Sequence, residues 1–159
     1  MLREIVRMAV PDMAELCSVD LVADGELGET TAYATNPRTL EMLHASRTRY
    51  PLDAGGPHPV AVVARTGRPH LQHEIGLERL RAFAVDEEHL QLMAGAGYAT
   101  SLAVPLVARG RTIGVLSFMR FGGSPPYADS DAELASEVAR RAAALGLHRA
   151  RRPAARGAA

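Results

Sequence analysis

The chain has 159 residues and a mass of 17.0 kDa, with 47% hydrophobic and 23% charged residues, which is ordinary usage for one globular domain. Its 18 basic and 18 acidic residues cancel, so no overall field draws it to nucleic acid or to an anionic membrane. Every basic residue is Arg, which excludes a P-loop, a Schiff-base enzyme and a protein kinase, because each needs a Lys amine.

The single Cys, Cys17, excludes an internal disulfide and any Cys-based zinc site. No apolar run reaches the length of a membrane span. The N-terminal stretch is short and broken by Arg7, so it reads as a helix and not as a signal peptide. The expected location is the cytoplasm.

In chain order, Leu2, Ile5, Val6 and Ala9 fall at helical spacing before Pro11, predicting a short amphipathic helix. Leu16 to Ala23 reads as a strand that ends at Asp24-Gly25, and a second strand is expected over about Glu29 to Thr35, joined to the first by a longer, Gly-containing loop. Asn36-Pro37 is a helix start, with Asn as cap and Pro at the first helical position, and Leu40, Leu43 and Arg47 follow on one face. Tyr50 to Pro57 is a Pro/Gly-rich loop. A second helix starts at His58-Pro59 and stops at Gly67. His70 to His73 reads as a short strand, and Leu77 to Ala84 is apolar without a clear period. Asp86 caps a further helix that buries Leu90 and Met93 and ends near Gly95 and Gly97.

Ser101 to Phe121 carries two apolar runs around Arg109-Gly110, a tight-turn dipeptide. Pro105 lies inside the first run. Proline has no backbone donor, so the strand must bulge there or lie at an edge. Ser130 and Glu133 are read as the capping box of a long last helix, with Leu134, Val138, Ala142 and Leu145 as one stripe that Ala135 and Ala139 widen. Pro153 ends that helix, and residues 150–159, rich in Arg and Ala, are expected to be a disordered tail or linker. The order of elements, with hairpin-linked strands, predicts an α+β fold on an antiparallel sheet.

The segment VPLVARGRTIGVLSF, Val104 to Phe118, resembles the last hairpin of GAF domains, and CSVDLVADG, TNPR and the helix ending TGRP match in order and spacing. The resemblance covers about residues 1–149. It is nearest to the actinobacterial GAF domains found beside sensor kinases and sporulation-type serine phosphatases. It implies a GAF-like, PAS-related central antiparallel sheet, with the N- and C-terminal helices on one face. The middle helices and loops would enclose a small-molecule pocket on the other.

The hairpin can be sorted by face. A regular pairing about Arg109-Gly110 opposes Ser101 with Phe118, and one bulge, placed at Val104-Pro105, shifts the register by one. Ser101 then shares a face with Ser117, and Ala103 with Val115, while Leu102, Leu116 and Phe118 share the other. Small and polar residues suit a cavity wall, and large apolar ones suit a helix-packed core. The expected pocket residues are therefore Ser18, Asp20, Ser101, Ser117 and Met119, with Tyr50, His58, Met93 and Tyr98 from mobile loops. Against this, Asp20 can simply satisfy a loop or helix amide, and the serines can be small fillers of a packed sheet.

Other chemistry is poorly supported. His70 and His73 have HxxH spacing, but on a strand they point to opposite faces. His44, His58 and His89 raise the question of haem, which asks for an aromatic-lined pocket, whereas aromatics are 4% of the chain. Cys17 sits mid-strand among apolar residues, as inert structural cysteines do. The resemblance to Cys-dependent sulfoxide reductases fails at Ser101, Ser117 and Met119, and no Cys is placed to attach a bilin. No GxSxG elbow or dinucleotide fingerprint is present. The terminal arginines suit a helix end or a solvated linker better than a nucleic-acid site.

Three readings follow. The first is a non-catalytic sensor or regulatory domain that binds a small molecule, dimerises through its terminal helices (Leu134, Val138, Ala142 and Leu145) and controls a separate output partner such as a histidine kinase or serine phosphatase. It carries no metal or resident cofactor. The second is a structural dimerisation module with a filled pocket. The third is a small enzyme using Asp20 or a His, for which no nucleophile–base arrangement is recognisable.

Overall fold

Two dipeptides with left-handed backbones set the sheet. Asp24-Gly25 has φ of 52° and 78°, and Arg109-Gly110 has φ of 52° and 74°, the conformation that two-residue hairpins require. A computed structural model describes residues 2–146. Their elements are α1 (Leu2–Met8), β1 (Leu16–Ala23), β2 (Glu26–Ala34), α2 (Pro37–Arg49), α3 (Pro59–Thr66), β3 (His70–Gln72), α4 (Leu77–Phe83), α5 (Glu87–Ala96), β4 (Tyr98–Ala108), β5 (Arg111–Phe121) and α6 (Asp129–Gly146). The five strands form one antiparallel sheet in the order β2-β1-β5-β4-β3. The α+β expectation stands, and the expected disordered tail or linker at residues 150–159 lies outside the described residues.

The first hairpin corrects the sequence reading. β2 begins at Glu26, directly after the turn, and Ala23 pairs with Glu26. Gly28 does not break the strand, so no longer loop exists. Leu77 to Phe83, without a clear period in the sequence, is the helix α4.

The helix starts follow their caps. Asn36 Oδ1 accepts from Arg38 N at 3.0 Å, His58 Nδ1 from Val60 N at 3.2 Å, and Asp86 Oδ1 from His89 N at 2.8 Å. α6 starts earlier than expected: Asp129 is its first residue, and the Asp131 carboxylate accepts from Ala128 N at 2.8 Å. This is the reach-back half of a capping box, displaced by two positions from the predicted Ser130–Glu133 pair.

The β4–β5 register sorts the faces. Ser101 opposes Met119, Ala103 opposes Ser117 and Pro105 opposes Val115, while Leu102, Val104 and Leu106 meet Phe118, Leu116 and Gly114. The bulge lies elsewhere than predicted. Leu106 pairs with Gly114 but Val107 with Thr112, so Ile113 on β5 is the extra residue and Pro105 keeps its place in the ladder. The other condition for proline is met: β3 pairs only with Ser101 to Ala103, and Pro105 lies beyond it. Gly114 is required where the bulge ends, because a Cβ there would stand 3.1 Å from Leu106 Cδ1 and 3.2 Å from the Asp20 carbonyl oxygen.

On one face, α1 and α6 cover Cys17, Val19, Leu102, Val104, Leu116 and Phe118. Each such fully buried Leu or Phe contributes about 1.5–3 kcal/mol. The stripe of α6 that meets the sheet is Ala135, Ala139, Ala142 and Ala143, with Val138 packed at its side. Leu134, expected in the stripe, is 53% exposed, because it precedes Ala135 by one residue and so turns away from the sheet. The side chain of Leu145 lies outside the described residues. α2 to α5 lie over the opposite face, with α3 packed on Ala103 and Val115, and α2 on Leu16 and Ala34.

Candidate functional site

The second face has a floor of three cross-strand rows. Gln72, Ser101, Met119, Leu16 and Ala34 form the first; His70, Ala103, Ser117, Ser18 and Ala32 the second; Pro105, Val115, Asp20 and Thr30 the third. Small side chains in the middle row leave room under the helices. The result is a cavity of about 100 Å3, partly open to solvent and lined by α2, α3, α4, α5 and the sheet.

Its walls are mostly apolar, with Met42, Leu43, Leu52, Leu80, Phe83 and Leu92 among them. A few polar groups converge: Ser46, Arg47, Tyr50, His58, Gln72, His89, Ser101 and Ser117. An apolar cavity with a few placed polar groups is the usual form of a small-molecule site.

Arg47 is the charged residue of the wall. It leaves the α2 face that also carries Leu43, and its side chain is 13% exposed. Nη2 lies 3.4 Å from Asp20 Oδ2, and Asp20, 1% exposed, also accepts from Thr30 Oγ1 at 2.6 Å across the β1–β2 ladder. Arg47 Nε and Nη1 are buried without a hydrogen-bond partner, as are Ser18 Oγ and Ser117 Oγ. Buried polar groups are almost always paired, so this corner of the cavity is rich in unused donors.

The two histidines are fixed in one tautomer. His58 Nδ1 accepts from Val60 N at 3.2 Å and His89 Nδ1 from Val85 N at 3.1 Å. In each neutral ring the proton is therefore on Nε2, which is a donor. Burial, followed by the positive charge of Arg47, pushes His58 down to about 3. Burial also lowers His89, although Asp86 opposes the shift. His89 stacks on Tyr50 with ring centroids 4.3 Å apart, and Tyr50 Oη donates to Asp86 Oδ1 at 3.0 Å. The end of α2 is thus fastened to the start of α5 at the cavity rim.

A model of one family, the GAF domain, matches residues 1–145. The chain belongs to the GAF family. GAF domains are commonly sensor or regulatory domains of signalling proteins and are generally not catalytic. Solved structures share the fold at low identity. The GAF domain/HD domain protein from Geobacter sulfurreducens aligns with a TM-score of 0.67 and 16% identity, over 92% of this chain and 88% of that one. The second GAF domain of DevS from Mycobacterium smegmatis gives 0.65 and 18%, over 94% and 92%. A domain described as that of a two-component sensor histidine kinase protein from Sinorhizobium meliloti 1021 gives 0.58 and 16%, over 93% and 88%. No curated protein matches.

In this GAF domain the sequence-derived pocket residues divide. Tyr50, His58, Met93, Tyr98, Ser101, Ser117 and Met119 line the cavity. Ser18 and Asp20 share its floor face but stand outside the wall, and Asp20 is engaged by Thr30 and Arg47. The sequence reading missed Arg47 as a wall residue. Its signal was an arginine four residues after Leu43 on the buried stripe of α2, a position where a solvated charge is out of place.

The histidines do not converge. His58 and His89 share the cavity, whereas His44 borders a separate polar depression with Arg3, Arg7 and Tyr33. His73 Nδ1 donates to the Tyr127 carbonyl at 2.7 Å, away from His70. Among the described residues no group of three or more His, Cys, Asp or Glu side chains is placed to hold a metal, and no helix is long and apolar enough to cross a membrane. Cys17 is fully buried on the α6 side, and burial pushes its thiol up to about 12.

Proposed function

We propose that this GAF domain is a non-catalytic sensor of the cytoplasm, in which a small molecule in the cavity biases a separate signalling partner. The observation that carries the reading is the convergence of unpartnered buried donors on one apolar cavity. A filled, purely structural pocket would leave no reason for Arg47 and Ser117 to be buried with donors unused.

The sheet offers a physical link to the terminal helices. The side chain of Gln72 lines the cavity, while its carbonyl accepts from Thr100 Oγ1 at 2.9 Å. Thr100 Oγ1 in turn accepts from Tyr127 N at 3.1 Å, two residues before α6, and Tyr127 Oη donates to the Met13 carbonyl at 2.8 Å. Ligand that favours one packing of β3 shifts the balance of α6 positions. The exposed Met8 of α1 and Leu134 of α6 favour homodimerisation through these helices. A histidine kinase or serine phosphatase is the class of output partner that fits such a module.

Native mass spectrometry of gently purified protein, with an absorbance spectrum and melting curves, tests this. The expected result is a dimer with a reproducible bound mass. A ligand at a hundredfold its Kd adds about 2.7 kcal/mol of stability. A dimer that no small molecule stabilises would favour the scaffold alternative, and a monomer would count against the route through α1 and α6.

A further inference from the structure

We propose that the cavity takes a small organic carboxylate with an apolar body, seated with its carboxylate against Arg47 and Ser117. The inference rests on the ligand-binding reading above and names the chemical class.

Three observations point the same way. First, the wall holds one cation, Arg47, and no Asp or Glu. The acid paired with it, Asp20, stands outside the wall with its other oxygen on Thr30, and Asp86 at the rim is engaged by Tyr50 Oη and His89 N. Asp20 therefore holds the arginine through Nη2 without placing an acid in the cavity wall. Second, Arg47 Nε and Nη1 and Ser117 Oγ are buried and unpartnered, and Arg47 has donors only. The Nδ1 acceptors of His58 and His89 are already used by backbone N–H groups, which leaves each neutral ring with a donor. A donor-rich wall calls for an acceptor-only ligand, and a carboxylate is the side-chain-sized group of that kind that pairs best with guanidinium. Third, the remainder of the wall is apolar, with Leu80, Phe83, Leu92 and Met93. The size, about 100 Å3, is below the roughly 150 Å3 of an engineered apolar cavity that holds benzene, so it suits a short branched chain, or one ring that reaches into the opening.

The test uses the full chain and three probes: benzoate, its neutral counterpart benzamide, and acetate. Binding is followed by two-dimensional amide NMR, including the Arg Nε–H signals. Benzoate is expected to saturate the Arg47 and Ser117 signals and to bind about tenfold or more tighter than benzamide. Acetate, which lacks the apolar body, is expected to bind weaker than benzoate. R47Q is expected to abolish the acid-over-amide preference while leaving benzamide binding in place. D20N/R47Q, which leaves no unpaired buried carboxylate, makes the same test should R47Q fail to fold. The acid-to-amide comparison on the native chain needs no variant.

Equal binding of benzoate and benzamide overturns the carboxylate assignment and leaves the cavity reading standing. Acetate as tight as benzoate overturns it in favour of a plain anion site. Binding of none of the three at millimolar concentration sinks the carboxylate proposal, and melting shifts from other compounds then decide the cavity reading separately.

Discussion

Arg47 of α2 and Asp20 of β1 meet with Nη2 3.4 Å from Oδ2 beneath the helices that roof the cavity. The pair ties a helix to the sheet and at the same time aims a guanidinium into the cavity. Removing one partner of a buried pair leaves the other charge uncompensated, which is worse than removing both. Asp20→Ala and Arg47→Ala are each expected to cost about 2–4 kcal/mol in urea unfolding, discounted from the fully buried case because Arg47 is partly exposed. The double variant should lose less than the sum, with a coupling of about 1–2 kcal/mol. Additive losses would show that the two residues act independently.

The neutral histidines make stability pH-dependent. His58 has an ordinary value of 6.5 and a folded value of about 3. Between these, the unfolded chain binds a proton that the folded chain excludes, so stability is complete above the unfolded value and falls as pH drops through the window. The slope from this one group is at most about 1.4 kcal/mol per pH unit, and His89, lowered in the same sense, adds to it. His58→Asn keeps a capping side chain and removes the titration, so its stability should fall less steeply on acidification. An unchanged slope would place the proton-sensitive group elsewhere.

Gly114→Ala should be costly although it adds one methyl group. The new Cβ meets backbone oxygen of Asp20 on one side and Leu106 on the other, and neither can move far within a paired sheet. A loss of about 1–3 kcal/mol is expected, as for overpacked cores. Gly110→Ala, with open space around it but φ of 74°, should cost about 1 kcal/mol through backbone strain alone. A Gly114→Ala melting temperature equal to that of the unsubstituted protein would refute the close-approach account of Gly114.

Cys17 should be silent towards alkylating agents in the native protein at mildly alkaline pH, because its thiol is buried and pushed up to about 12. Labelling should appear only with denaturant, at the unfolding midpoint. Rapid labelling of the folded chain would mean that β1 opens locally.

Leu134→Glu probes α6 as an interface. The residue is exposed, so monomer stability should change by no more than about 0.5 kcal/mol. Sedimentation should show the proposed dimer dissociating. A dimer that survives would move the interface away from this face of α6.

Local chemistry made much of the fold legible. Asn36, His58 and Asp86 cap the helices as their positions foretell, Gly67 and Gly97 end them with φ of 67° and 77°, and the faces of β4 and β5 follow from small against large residues. The bulge near the turn was not legible in place, since Pro105 is a louder signal than Ile113 and edge position satisfies a proline equally well, and the second register shift, between Tyr98 and Thr100, had no signal. α4 was not legible because it spans barely two turns and starts at Gly76, which offers no capping side chain to mark it. Tyr50, His58, Ser101 and Ser117 were legible as wall residues from their loops and faces. Arg47 was legible as a residue of the Leu40–Leu43 face of α2 but not as part of the wall, because only the third dimension shows which acid compensates it.

The shortness of β3 has a consequence for assembly. Beyond Ala103, β4 runs on along the margin of the sheet with no strand paired to it on that side among the described residues, and Val107 there is 44% exposed. A bare strand of this kind is an open template for another chain. Pro105 interrupts it, because a residue without an N–H cannot continue a hydrogen-bonded ladder. This margin of the sheet is thereby guarded against pairing with a further strand, a protection that β2, the strand of the opposite margin, does not share.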